Sequence, residues 1–190
     1  MKTIAWDVDD VLNDLMRVWF EKKWKVDHPE CKLSYKDIRE NPPYKLLGAT
    51  LEEYQNSLDE FRGSHLFAEM LPVKESMNWL KENGSNFRHI ALTAVPLACA
   101  SVSAGWVFKY FGEWIRTFHF VPSKRKDKRH LRYDDNKGDF LKWIKKVDII
   151  VEDNLENIRL AKEVGVKTVV IPRPWNSEKK SIKEVLFSIL

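Results

Sequence analysis

Short apolar runs alternate with longer amphipathic stretches along most of the chain. About five of these runs have the length and β-branched content of buried strands. They are the run that ends at Trp6 and residues 88–93, 117–121, 147–151 and 168–171. The pattern therefore predicts short strands that are separated by other elements.

The stretches between the strands are helical in character. They cover residues 11–25, 51–61, 73–82, 97–110, 137–146, 155–164 and 177–188. Gly63, Gly84 and Gly165 follow three of these stretches, as is typical at the C-terminus of a helix. Residues 27–50 contain several prolines, which indicates loop with short helical pieces at most.

Strands that alternate with helices after residue 72 favour an α/β fold, with a parallel sheet and helices on both faces. Residues 14–72 contain helix and loop but no β-rich run. The sequence therefore predicts a core domain made of residues 1–13 and 73–190. A small helical cap, residues 14–72, is inserted after the first strand.

Three acids, Asp7, Asp9 and Asp10, follow the first strand directly. Open α/β sheets bind ligands at the carboxyl ends of their strands. Carboxylates this close raise one another's pKa unless a cation lies between them, and a hard ion such as Mg²⁺ suits oxygen ligands. The alternative is a solvated junction, with Asp10 or Asp14 at the start of a helix.

Composition adds little to this picture. The chain has 190 residues, a net charge of +4 and two cysteines far apart in sequence. That length fits one domain with an insertion, and the mild positive charge is compatible with an anionic substrate. The cysteines make no metal motif, and with no signal-peptide pattern at the N-terminus we expect a cytoplasmic protein. Residues 90–108 lack charge, but Thr93, Pro96 and Gly105 fit a strand, turn and helix better than a membrane span.

The stretch Asp7-Val8-Asp9-Asp10-Val11-Leu12 resembles the first motif of the haloacid dehalogenase (HAD) superfamily, Asp-x-Asp-x-(Thr/Val). In that family the first Asp is the nucleophile and the second is the general acid and base. The resemblance implies these roles for Asp7 and Asp9, within a HAD-like Rossmannoid fold.

The end of the second predicted strand and the start of the helix at residue 137 are similar to two further HAD motifs. Thr93 and Ala94 stand where the family binds phosphate through a hydroxyl and a backbone N–H. A Thr that closes a strand is common, so a purely structural role stays open. Lys137 stands in the usual context of the lysine that neutralises the phosphate. Lys124 is the competing candidate, and we favour Lys137.

The acids Glu152 and Asp153 follow the strand 147–151 and resemble the fourth motif. The resemblance implies that Asp7, the Asp9 backbone carbonyl and Asp153 hold Mg²⁺, with Asn157 near a ligand water. The family usually has Asp where this chain has Glu152, so the role of that residue is open. Asp153 or its neighbour can also cap the following helix.

Together these motifs imply a Mg²⁺-dependent phosphomonoester hydrolase that acts through an aspartyl-phosphate. Residues 7–14, 67–79, 92–94 and 172–176 resemble the 5'(3')-deoxyribonucleotidase (type C) group, which implies a (deoxy)nucleoside monophosphate as substrate. Two departures are Asp10, where that group has Gly, and Leu15, where it has the aromatic that stacks on the base. Stacking would then fall to Trp19, Phe20 or Tyr44, which also suit a core.

Three other functions stay open. Residues 124–132 are strongly basic, which is typical of a solvated loop but also suits the phosphates of a nucleic acid. The chain would then be a polynucleotide end phosphatase. It can also act on another small phosphoester. A catalytically silent HAD fold that only binds is the last alternative, and the presence of Asp7 and Asp9 argues against it.

Overall fold

A computed structural model describes residues 1–123, 125, 131 and 133–190. Its strands are all parallel and lie in the order β3-β2-β1-β4-β5, so the first strand occupies the centre. They are β1 (Thr3–Trp6), β2 (Arg88–Val95), β3 (Ile115–Pro122), β4 (Ile149–Glu152) and β5 (Lys167–Val170). The predicted α/β class and the sheet of about five strands are confirmed.

Helices fill the connections. They are α1 (Leu15–Trp19), α2 (Lys25–Asp27), α3 (Leu51–Arg62), α4 (His65–Ala68), α5 (Lys74–Asn83), α6 (Leu97–Phe111), α7 (Lys137–Ile144), α8 (Leu155–Glu163) and α9 (Ile182–Phe187). A π-helical turn, Phe20–Trp24, joins α1 to α2 without a break, and 3₁₀ turns cover Tyr35–Asp37 and Gly84–Asn86. Within the described residues, none of these helices has the length and apolar character needed to cross a membrane.

The sheet is covered on both faces, which explains its almost unbroken apolar strands. On one face Trp6 packs in a large cluster with residues of α5, α6 and α9, among them Trp79 and Trp106. On the other face Ala5 and Ile90 pack against Phe140 of α7 and Ala161 of α8. Because both faces of the sheet are buried, polar side chains lie mainly at the ends of its strands.

Register aligns those strand ends. Trp6 of β1 lies opposite Ala91 of β2 on one side and Val151 of β4 on the other. The next backbone N–H, that of Asp7, donates to the Val151 carbonyl at 2.9 Å. The side chains that follow β1 and β4 are therefore brought to one edge.

Several element boundaries differ from the sequence prediction. The first helix begins at Leu15 rather than at residue 11, because the Val8 carbonyl accepts the Leu12 and Asn13 N–H groups in a tight turn. Strand β2 continues past Thr93 to Val95, so Thr93 lies inside the strand instead of closing it. The short helix α4 was not predicted.

The segment between β1 and α5 contains helices and loops and no strand, as expected. Its aromatic residues join the large cluster: Trp19 and Phe20 are fully buried, and Phe67 lies against Trp106 of α6. We call residues 14–72 the inserted segment. Its separation from the core as a cap domain stays a prediction.

The connection between β1 and the inserted segment is held by Asp10. Its φ is +62°, in the left-handed region, and its side chain is buried. Its Oδ1 accepts the Met16 N–H at 3.0 Å, and its carbonyl accepts Nε of Arg173 at 2.7 Å. Arg173 also donates to Asp14 Oδ1 at 2.9 Å. Glycine adopts this left-handed conformation more easily than other residues do. Asp10 adopts it here, and its side chain accepts a hydrogen bond from the N–H of Met16 at the start of α1.

We predict that Asp10→Ala lowers the free energy of unfolding by about 1–3 kcal/mol, because it leaves the Met16 N–H unsatisfied and puts Ala at positive φ. Asp10→Asn keeps an acceptor and tolerates this φ, so it should be near neutral. Urea denaturation compares the two. Equal stability of Asp10→Ala and the unaltered protein would show that the Asp10 side chain does not stabilise this connection.

Candidate active site

The centre of the site is a buried lysine between two carboxylates. Nζ of Lys137, at the start of α7, lies 2.8 Å from Oδ2 of Asp7 and 2.6 Å from Oε2 of Glu152. The three side chains are 1%, 9% and 0% exposed. The other oxygen of Asp7, Oδ1, accepts the Val8 N–H at 2.7 Å. Asp7 is thus fixed at the end of β1 with one cation beside it.

This environment shifts two pKa values. Burial raises the pKa of Asp7, the Glu152 carboxylate raises it further, and Lys137 opposes both. Burial alone would lower the pKa of Lys137, but the carboxylates of Asp7 and Glu152 outweigh it and raise that pKa. Lys137 is therefore a permanent cation, and it favours the ionised form of Asp7.

Glu152 supports this arrangement rather than facing a ligand. Its Oε1 accepts the backbone N–H groups of Asp153 and Asn154 at 3.2 and 3.1 Å, while Oε2 binds Lys137. Both carboxylate oxygens therefore have partners. Glu152, whose role the sequence left open, thus binds Lys137 in the structure. Asn154 caps α8 through the N–H groups of Glu156 and Asn157.

Asp153 has a different environment. Its Oδ2 accepts Nε1–H of Trp175 at 2.7 Å. Burial and the charge of Asp7 raise its pKa to about 6. Asp7, Glu152 and Asp153 each place one carboxylate oxygen within 4.8 Å of the others.

These residues fit a divalent cation. The donors are carboxylate oxygens, which Mg²⁺ prefers, and a cation between Asp7 and Asp153 would offset the effects of burial and of neighbouring carboxylates, which raise the pKa of both groups. Because Glu152 already binds Lys137 and two N–H groups, Asp7 and Asp153 are the side chains best placed to bind the metal.

Thr93 and Ala94 lie on the neighbouring strand β2, at the same edge. The Thr93 hydroxyl is buried and has no hydrogen-bond partner within the part of the chain that the structure describes. A buried hydroxyl without a partner is unfavourable, so a ligand oxygen at this position would satisfy it. A threonine with a purely structural role would be expected to have a hydrogen-bond partner for its buried hydroxyl.

Asp9 faces the inserted segment. Its Oδ1 accepts Nδ2 of Asn13 at 3.1 Å, and its Oδ2 accepts Nη2 of Arg62 at 2.8 Å. Arg62 is the last residue of α3 and is only 5% exposed. The residue that the HAD resemblance implies as general acid and base therefore has a buried cationic partner in the inserted segment.

A second ion pair lies beside the first. Arg125 donates from Nε and Nη2 to the two oxygens of Asp59, both at 2.7 Å, and Asp59 also accepts Nη1 of Arg62 at 3.3 Å. Sequence reasoning missed Arg62, which resembles any basic residue in the last turn of an exposed helix. It also did not single out Arg125 within the basic run.

The residues expected to act in catalysis, phosphate binding and metal binding line one cleft of about 300 Å³: Asp7, Asp9, Thr93, Ala94, Lys137 and Asp153. Leu15, Tyr54 and Asn157 also line it. Trp19 and Phe20 belong to the core instead. Lys124 lies outside the described residues, as does most of the basic run 124–132.

The chain resembles known proteins in its structure but not in its sequence. The sequence matches no protein-family model and no curated protein. Solved structures do match. A HAD-like hydrolase from Streptococcus pneumoniae is 14% identical, with a TM-score of 0.60, over 99% of this chain and 90% of that one. A predicted phosphatase from Clostridium acetobutylicum is 12% identical, with a TM-score of 0.66, over 99% and 97%.

A HAD hydrolase from Bacillus subtilis, described as bound to magnesium, is 13% identical with a TM-score of 0.57, and the match covers 99% of this chain and 97% of that one. The chain has the haloacid dehalogenase-like fold. At identities this low, similarity establishes the HAD-like fold alone.

Mg²⁺ should raise the melting temperature by several degrees at pH 7.5 and by much less at pH 5.5. Asp153 has a pKa of about 6 because of burial and Asp7, so protons compete with the metal below that pH. Differential scanning fluorimetry with and without Mg²⁺ measures the shift. Asp153→Asn should abolish it, whereas Glu156→Gln, an exposed acid on α8, should keep it. A full Mg²⁺ shift in Asp153→Asn would contradict this metal site.

Replacement of the buried lysine should be strongly destabilising. Lys137→Met leaves the Asp7 and Glu152 carboxylates facing each other without a cation, which we expect to cost about 3–5 kcal/mol of unfolding free energy. Adding Glu152→Gln removes one of the two charges and should recover part of that loss. Urea denaturation of the single and double variants tests this coupling, and additive losses would refute it.

Proposed function

We propose that the chain is a Mg²⁺-dependent phosphomonoester hydrolase that forms an aspartyl-phosphate on Asp7. The observation that carries the proposal is the buried Asp7 carboxylate held by Lys137 in the same cleft as the unsatisfied Thr93 hydroxyl and Asp9. A predicted phosphatase and a magnesium-bound hydrolase among the structures with this fold support it.

The first step is attack by a carboxylate oxygen of Asp7 on phosphorus. A bond forms between that oxygen and phosphorus, and the bond from phosphorus to the ester oxygen breaks. Lys137, 2.8 Å from Asp7, favours the ionised form of the nucleophile and opposes the rise in its pKa that burial and Glu152 cause. Asp9 gives its proton to the departing oxygen, which leaves as an alcohol.

Charge on the phosphoryl oxygens is offset by donors around the cleft. The Thr93 hydroxyl and the Ala94 N–H donate hydrogen bonds, and Lys137 supplies a positive charge. Held by Asp7, Asp153 and the Asp9 backbone carbonyl, Mg²⁺ would add further positive charge at the same oxygens.

The second step regenerates Asp7. Asp9, now a carboxylate, takes a proton from a water molecule, and the water oxygen bonds to phosphorus as the bond to Asp7 breaks. Asn13 and Arg62 each donate to one oxygen of Asp9, which holds its carboxyl group in one orientation through both steps.

The organic part of the substrate would meet an apolar wall. The cleft is lined by three apolar side chains and one aromatic side chain: Leu15, Met16, Leu58 and Tyr54. Such a wall suits a carbon-rich leaving group. A (deoxy)nucleoside monophosphate is the substrate class that the nucleotidase resemblance implies, and we propose it as the first class to test. A short phosphoester is the alternative.

The test is phosphate release from deoxynucleoside monophosphates, sugar phosphates and short phosphoesters with Mg²⁺. Asp7→Asn should lower kcat/KM by at least about 1,000-fold, because an amide cannot act as the nucleophile. Asp9→Asn should slow turnover as well. Circular dichroism checks that both variants fold.

Retention of activity by Asp7→Asn would overturn the mechanism. Turnover of short phosphoesters without turnover of nucleotides would keep the mechanism and discard the nucleoside. A chain that binds these compounds but releases no phosphate from any of them would favour the binding-module alternative.

A further inference from the structure

The inserted segment contributes an ion-pair network to the cleft. Asp9 pairs with Arg62, Arg62 contacts Asp59, and Asp59 pairs with Arg125. Two of these residues, Asp59 and Arg62, belong to α3, and the other two belong to the core loops after β1 and β3. Arg62 and Arg125 both line the same cleft as Asp7. We call these four residues the arginine network.

Arg62 has more hydrogen-bond donors than its partners use. A guanidinium offers five N–H donors in a fixed fork. Arg125 already binds both oxygens of Asp59, so Arg62 Nη1 shares one of them at the long distance of 3.3 Å. Nε of Arg62 is buried and has no hydrogen-bond partner among the described residues. A buried, charged donor without an acceptor is unfavourable, and an anionic ligand would supply the acceptor.

The position of Arg62 decides which part of a substrate it meets. Its Nη2 lies 2.8 Å from Oδ2 of Asp9, the group proposed to protonate the leaving oxygen. The transferring phosphoryl group has its own donors at Lys137, Thr93 and Ala94. An anion bound at Arg62 therefore belongs to the leaving alcohol, a few bonds from the ester oxygen.

We propose that Arg62 is a specificity residue that binds a second anionic group, a carboxylate or a phosphate, on the leaving alcohol. Arg125 acts behind it by holding Asp59 in place. The inference rests on the proposed phosphomonoesterase function and narrows it. It favours a short phosphoester with an acidic leaving group over a nucleoside monophosphate, whose sugar and base carry no second anion.

A matched pair of substrates tests the inference. 2-Phosphoglycolate and ethyl phosphate share the phosphate and a two-carbon alcohol and differ in the carboxylate. The unaltered enzyme should prefer phosphoglycolate in kcat/KM, mainly through KM. Arg62→Met should reduce that preference by roughly 10- to 100-fold, the effect expected for a charge-assisted hydrogen bond. Arg62→Lys should keep part of it, and Arg159→Gln, on the exposed face of α8, should keep all of it.

Ethane-1,2-diol bisphosphate serves as a third substrate. A preference for it over phosphoglycolate assigns the second anion as phosphate, and the reverse assigns it as carboxylate. If Arg62 only positions Asp9, Arg62→Met will lower turnover of all three substrates by the same factor. The preference ratio will then stay unchanged, and that result overturns the proposal.

A binding measurement separates failure of this inference from failure of the proposed function. Isothermal titration calorimetry compares phosphoglycolate and ethyl phosphate on Asp7→Asn and on Asp7→Asn with Arg62→Met. Tighter binding of phosphoglycolate that depends on Arg62 supports the inference even if no phosphate is released by any form. Equal affinities for the two compounds overturn it, whether or not the enzyme turns them over.

Discussion

The site depends on one buried ammonium group shared by two buried carboxylates. Burying charged groups is tolerable only when each lies beside an opposite charge and their remaining atoms are hydrogen-bonded. Lys137 meets Asp7 and Glu152, and the free oxygen of Glu152 accepts two backbone N–H groups. This requirement ties the ends of β1 and β4 to the start of α7. The environment of Asp7 is therefore a consequence of how the sheet and α7 pack.

The inserted segment also shapes the chemistry of the site. Arg62 lies 53 residues beyond Asp9 in sequence, and the fold of the inserted segment brings the end of α3 beside the loop that follows β1. The connection through Asp10 is fixed by Met16 and Arg173, so the start of the inserted segment has a defined position relative to β1. Under the proposed function, any contact between the inserted segment and a substrate would therefore be coupled directly to Asp9, the proposed general acid and base.

The sequence predicted the parts of the site that depend on strand ends. Asp7, Thr93 and Asp153 each follow or lie near the end of an apolar run, and strand order alone brings them together. It could not predict the contact of Glu152 with Lys137, because an acid after a strand gives no sign of its partner. Arg62 was missed for a similar reason: its burial depends on long-range packing. The helix start at Leu15 was misplaced because Val11 and Leu12 fit a helical pattern although their turn is closed by Val8.

The two halves of the cleft differ in charge, and this difference implies an order of binding. On the core side Lys137 pairs with Asp7 and Glu152, and Asp153 lies near these carboxylates. Burial, together with this excess of negative charge, raises the pKa of Asp7 and of Asp153. In the arginine network two carboxyl groups face two guanidinium groups, so negative charge is not in excess there. A phosphomonoester dianion would be repelled from the core side until a divalent cation had offset those carboxylates. If the site binds Mg²⁺ as proposed, its electrostatics favour metal binding ahead of the substrate.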